Sequence, residues 1–190
     1  MSPPRAIDAR YEDPVDLIWL ATARRLGLEV VRASDAYASW DGQGTLTLAK
    51  DAEFDPDDCL AQMILHELCH ALVEGPEGRA RMDWGLENVD DRDAVREHAA
   101  DRLQAALAGR HGLRRILAVT TDWRAYYDAL PEDPLADGDD PAIPLARAAF
   151  AEATEGPWAR ALEAALEATA RIARAAAAFA SEDSLWSRTE

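Results

Sequence analysis

The stretch from Ile64 to Val73, ILHELCHALV, constrains this chain more than any other, because it is apolar on every face and yet carries His66, Glu67 and His70. A helix that is hydrophobic all round belongs in a core. Burying an unpaired carboxylate costs several kcal/mol, and buried imidazoles also need partners, so the trio destabilises the packing unless a cation or a polar network satisfies it. The spacing favours a cation. His66 and His70, at i and i+4, lie one turn apart on one face and can reach a common ion about 2.0–2.1 Å from each ring nitrogen. Glu67 lies beside that face, placed to take a proton from water activated by the ion and return it to a leaving group.

Cys69, inside the same segment, points roughly 60° away from the mean direction of the two histidines at about 100° per residue, which predicts a small buried apolar role. A third ligand is expected from REHAAD, where Glu97 and Asp101 are again one turn apart. Glu97 is the expected ligand, with Asp101 accepting a hydrogen bond from the free ring nitrogen of His66. His98 competes with Glu97, and periodicity does not separate them: the apolar stripe through Val95, Ala99, Leu103 and Ala106 leaves both off its centre.

With 190 residues, 48% of them hydrophobic, the chain can bury one good core. Its 36 acidic and 20 basic residues give a net charge of −16, which repels phosphate backbones and anionic membrane surfaces. No nucleic acid and no membrane is expected as a partner. The N-terminus lacks a basic region followed by an apolar run, and no apolar stretch approaches the ~20 residues that span a bilayer, so a cytoplasmic location is expected. Cys59 and Cys69 fall on one predicted helix, about 15 Å of rise apart and beyond the roughly 7 Å a disulfide allows, which suits a reducing compartment.

Along the chain, Asp13-Pro14 starts a first helix that stops at Gly27, and LEVVRAS and GTLTLAK read as short strands. A second helix is predicted from Asp55-Pro56 to Gly75-Pro76, carrying HELCH. Residues 76–89 read as a loop. A third helix is capped at Asp90 or Asp91 and closed by Gly109. Two shorter helical pieces, LRRILAV and TDWRAYYDAL, lead into PEDPLADGDDPAIP, read as an exposed acidic linker or lid over 131–143. From about Leu145, one short and one long helix split by Gly156-Pro157 pack through Trp158, Leu162, Leu166 and Ile172. The expected fold is α+β, a small N-terminal sheet with a metal-binding helix and a mostly helical remainder: a catalytic domain over 1–130, the linker, and C-terminal helices 144–190 on the same domain.

HELCH followed by Glu97-His98-Ala99-Ala100-Asp101 resembles the gluzincin metallopeptidases, zincins with HExxH and a downstream Glu-x-x-x-Asp. The resemblance implies zinc on His66, His70 and Glu97, with Glu67 as general base. Metzincins match less well, since Val73 and Pro76 stand where their glycine and third histidine would be. Over residues 57–108 the chain is also similar to the elongation factor P hydroxylase family, through HELCHALVEG, RARMDWGLENVDDRD and REHAADRLQAAL. That likeness implies iron on the same ligands and hydroxylation of a protein side chain.

Hydrolysis also needs a donor for the oxyanion, and Tyr126, Tyr127 and His111 are the candidates. Thr45 to Leu48 is a candidate edge strand for an extended peptide. Asp83-Trp84-Gly85 either shapes the pocket rim or anchors its loop through a buried Trp84. The expected activity is that of a zinc metallopeptidase on a protein or peptide substrate; the alternatives are an iron-dependent hydroxylase and a binding protein with a structural metal.

Overall fold

Asp13 opens the first helix as its sequence predicts: its carboxylate accepts from the N–H groups of Val15 (2.8 Å) and Asp16 (3.3 Å), and Pro14 occupies the first turn. In this computed structural model, which describes residues 8–87, 93–119 and 123–187, that helix (α1) spans Pro14–Arg25. Gly27, at φ +88°, turns the chain out of it. Three strands follow, β1 (Glu29–Ala33), β2 (Ala38–Trp40) and β3 (Thr45–Ala49). The sheet order is β1-β3-β2, with β1 parallel and β2 antiparallel to β3. Leu46 and Leu48 alternate inward from β3 into the core. Because β3 is central, the edge-strand reading of Thr45–Leu48 is corrected: both its sides are paired, and the edges are β1 and β2.

The helix that carries HELCH (α2) spans Leu60–Val73, starting later than Asp55-Pro56, because Cys59 caps it by accepting from the Gln62 N–H at 3.4 Å. Cys59 therefore precedes the helix that holds Cys69, and both thiols are free. Gly75, at φ +64°, breaks the direction, and Pro76 then sits in the first turn of a short helix, α3 (Gly75–Arg79). With a 3-10 turn at Met82–Gly85, this gives structure to a stretch expected to be loop.

Helix α4 (Ala94–Gly109) crosses α2 and is buried on nearly every side. The expected caps Asp90 and Asp91 lie outside the described residues. LRRILAV is a succession of turns rather than a helix: Leu113, Ile116 and Leu117 each drop into the core, and the Leu117 carbonyl is taken by a side chain from α4. The helix in TDWRAYYDAL, α5, is confined to Arg124–Asp128.

Residues 131–143 are largely exposed, as expected, but they are fastened to the body of the protein at several points. Arg114 donates to the carbonyls of Leu130 (2.9 Å) and Pro131 (2.7 Å), Arg102 donates to Pro134 (2.6 Å), and Leu135 packs beside Ala99, Ala142 and Ala146. Helix α6 (Ala142–Glu155) and helix α7 (Ala159–Ala177) flank Gly156-Pro157. Their inner faces join α1, α2, α4 and the sheet in one hydrophobic cluster, and the Trp19 indole N–H donates to the Thr169 hydroxyl (3.0 Å), tying α1 to α7. The fold is α+β, a three-stranded mixed sheet in a mostly helical protein. No helix among the described residues is long and apolar enough to cross a membrane.

Candidate metal centre

Helix periodicity puts His66 and His70 on the face of α2 that meets α4, and α4 brings Glu97 across to them. The Nε2 atoms of His66 and His70 stand 3.1 Å apart, His70 Nε2 lies 3.2 Å from Glu97 Oε2, and the three donor atoms all fall within 4.8 Å of one another. Ligands held about 2.0–2.1 Å from a tetrahedral metal are spaced about 3.3–3.4 Å, so the two separations at His70 are already close to the edges of such a site. The group forms one wall of a cleft of about 310 Å³ that Glu67, Ser39 and Trp84 also line.

The tautomer of His66 follows from its neighbour. Gln104, fully buried on α4, donates its amide N–H to the Leu117 carbonyl (2.9 Å), which turns its Oε1 to His66 Nδ1 at 2.9 Å. An oxygen can only accept, so Nδ1 carries the proton and Nε2 offers its lone pair to the site. Asp101 does not take the role expected of it on His66. It lies within electrostatic reach of His70 instead, fully buried, and neither of its oxygens has a hydrogen-bond partner; His70 Nδ1 has none either. Over about two turns of α4 the roles are divided: Glu97 converges on the histidines, Asp101 backs His70, and Gln104 holds His66.

His98, the competitor of Glu97, turns to the next face of α4 and stacks on Tyr126 (centroids 3.6 Å apart, planes 7° apart). It is not among the converging groups. Cys69 is buried and likewise outside them, and burial pushes its thiol well above the usual range.

Glu67 is buried, and its Oε2 accepts the Trp84 indole N–H at 2.7 Å. The loop that brings Trp84 there is strained: Asp83 (φ +45°) and Trp84 (φ +59°) both adopt left-handed backbone, at a cost of about 1–3 kcal/mol each. Contacts on both sides hold it. Asp83 Oδ1 accepts from the Ser39 hydroxyl (2.9 Å) and the Trp40 N–H (3.0 Å), and the Trp84 ring lies flat on Trp40, with centroids 4.5 Å apart. The two readings of Asp83-Trp84-Gly85 are both met, since Trp84 is buried and also lines the cleft.

Charge in the site is out of balance without a cation. Burial raises Glu67 above the usual carboxylate range, against the pull of His70 and the Trp84 N–H, and burial raises Asp101 well above it. Burial and the charge of His70 push His66 down to about 4. Burial also presses His70 down, but the hydrogen bond and charge of Glu97, with Glu67 and Asp101 behind it, carry it up to about 9. Two imidazoles and a carboxylate converge while two further buried carboxylates stand by, a donor set that suits a borderline dication and can hold one.

The expected oxyanion donors lie elsewhere. Tyr127 donates to the Arg114 carbonyl (2.8 Å) inside a separate apolar cluster, Tyr126 donates to Asp140 (2.8 Å), and His111 faces Glu163 of α7 at 3.5 Å. None of them lines the cleft; the tyrosine that does is Tyr37, whose hydroxyl donates to Asp58. Gln104 and Tyr37 were missed from sequence. Gln104 had a signal, since it follows Glu97 and Asp101 at helical spacing, whereas nothing local marks Tyr37. No family model matches the chain, and neither a curated protein nor a solved structure is significantly similar to it.

Proposed function

We propose that this chain is a metal-dependent hydrolase, a zinc metallopeptidase in which His66, His70 and Glu97 hold the ion and Glu67 moves the proton. One observation carries the reading: three donor atoms within 4.8 Å of one another open onto the same cleft as a buried carboxylate held by an indole. A zinc ion bound there supplies Lewis acidity, polarising a carbonyl and bringing the pKa of water down to about 7. With Oε2 engaged by Trp84, Glu67 is held in one orientation, and its raised proton affinity suits a group that takes the proton of the attacking water and passes it to the leaving amine. The strand side of the cleft suits an extended substrate. Since the Trp40 N–H turns outward to Asp83, Ala38, two residues earlier on β2 and lining the cleft, turns its own backbone to that same edge, where a peptide can pair. The two free thiols fit the cytoplasmic setting we assign to it.

Elemental analysis of protein purified without chelator, with cleavage of an unfolded protein substrate, tests the proposal. Glu67→Gln is expected to keep zinc and lose about 10²–10⁴-fold in rate. Iron with oxygen-dependent turnover moves the site to protein hydroxylation. Zinc retained with no cleavage by the native chain leaves a structural metal in a binding protein, and a native chain without metal overturns all three readings.

A further inference from the structure

The two histidines of the centre are held by different means. His70 stands beside a buried carboxylate that has no hydrogen-bond partner, Asp101, whereas His66 is engaged by a neutral amide. That amide has no freedom to turn over. Gln104 is fully buried, its N–H is committed to the Leu117 carbonyl at 2.9 Å, and reversing it would set an oxygen against that carbonyl oxygen. Leu117 is itself fully buried in the main core, so the anchor is rigid.

We infer that Gln104 is the positioning residue of this metal centre: clamped by Leu117, it holds His66 in the Nδ1–H tautomer and aims the Nε2 lone pair at the ion, thereby setting the affinity of the site. The inference rests on the metal-centre reading but not on hydrolysis. It ties the centre to the turns at 113–119, which also bring Val119 to the cleft. Removing a partner of this kind from a ligand histidine lowers metal affinity by about 10–100-fold.

The experiment measures zinc affinity by chelator competition in the full chain and in Gln104→Met and Gln104→Glu, together with the His66 tautomer by ¹⁵N-detected imidazole correlation in metal-free protein. The native chain is expected to show Nδ1–H at His66. Gln104→Met, of similar size but without the acceptor, loses about 10–100-fold in zinc affinity and lets Nε2–H accumulate. Gln104→Glu, which keeps an acceptor for Nδ1 but loses the N–H to the Leu117 carbonyl, keeps the Nδ1–H form while recovering only part of the affinity. A Gln104 that matters only for packing lowers the melting temperature of the variants while leaving tautomer and relative affinity unchanged, and that result overturns the inference. So does Nε2–H as the main tautomer in the native chain, a measurement that needs no variant to fold. A native chain that takes up no zinc overturns the metal-centre reading itself, whereas zinc bound equally by native protein and Gln104→Met overturns the clamp alone.

Discussion

Helix α4 carries two polar clusters on adjacent faces, one partly buried and one buried, and they are finished differently. On one face His98 and Arg102 meet α5 and residues 131–140: Arg102 donates to the Tyr126 hydroxyl (2.5 Å), the Pro134 carbonyl (2.6 Å) and Asp140 Oδ2 (2.9 Å), Tyr126 donates to Asp140, and His98 stacks on the Tyr126 ring. None of these side chains has a buried polar atom without a partner. On the other face Glu97, Asp101 and Gln104 meet His66 and His70, and there both oxygens of Asp101 and Nδ1 of His70 go without hydrogen-bond partners. One cluster is closed and neutralised by its own arginine; the other holds more carboxylate than cation. The first is what a fold needs to fasten a segment of chain, and the second is an arrangement that could hold an ion.

If that contrast is right, metal should matter only to the open cluster. Zinc at about a thousand times its dissociation constant stabilises a native state by ~4 kcal/mol. For a chain of this size that is worth about 8–16 °C in melting temperature, reversed by chelator and absent in His70→Ala. Scanning calorimetry with and without zinc measures it, and an unchanged melting temperature in the native chain would make both clusters merely structural. Arg102→Ala provides the opposite case: removing the cation of the closed cluster is expected to cost about 3 kcal/mol and roughly 6–12 °C, with the zinc content unchanged. Zinc loss in that variant would show that the clusters are one system.

The clusters should also respond differently to pH, since only the open one loses stability on the alkaline side. The folded-state pKa of His70 is raised from 6.5 to about 9, so in metal-free protein its contribution is fully present below pH 6.5 and is lost as pH rises through about 9. His66, shifted the other way, costs metal-free protein stability as pH falls from 6.5 to about 4, above the window in which Asp140 acts. Asp140 is lowered: burial raises it, but the Ala142 N–H, Arg102 and Tyr126 outweigh that, so its contribution is present above about pH 3.8 and is lost as pH falls further. Thermal melts across pH should therefore show an alkaline loss in metal-free protein that zinc removes and an acid loss that Asp140→Asn diminishes. A zinc-insensitive alkaline limb would count against the open cluster as the metal site. The smallest expected effect is that of Tyr126→Phe, about 1 kcal/mol in urea unfolding, with zinc affinity untouched.

The legibility of the two faces differed for the same reason. His66, Glu67 and His70 stood out because their neighbours on one helix are all apolar, a local property that the 3.6-residue period converts into geometry. Periodicity did not separate Glu97, the expected ligand, from His98, because α4 is buried nearly all round and has no polar side to serve as a reference. Tyr126 and Tyr127 were expected near the ion on chain distance alone, and the turns at 111–119 carry them to another cluster. The left-handed pair Asp83-Trp84 runs against the intrinsic preference of both residues and exists only through Ser39, Trp40 and Glu67, residues distant in the chain.

By itself the sequence determined that two histidines and a carboxylate would share a buried helix, because periodicity and burial act over a few residues. Which residue of α4 would complete the group, which would hold His66, and what would orient Glu67 were decided by the crossing of α2 over α4 and by the path of two loops. Those are long-range packing outcomes, in which Gln104 displaced Asp101 because its amide alone had a carbonyl, that of Leu117, to brace against.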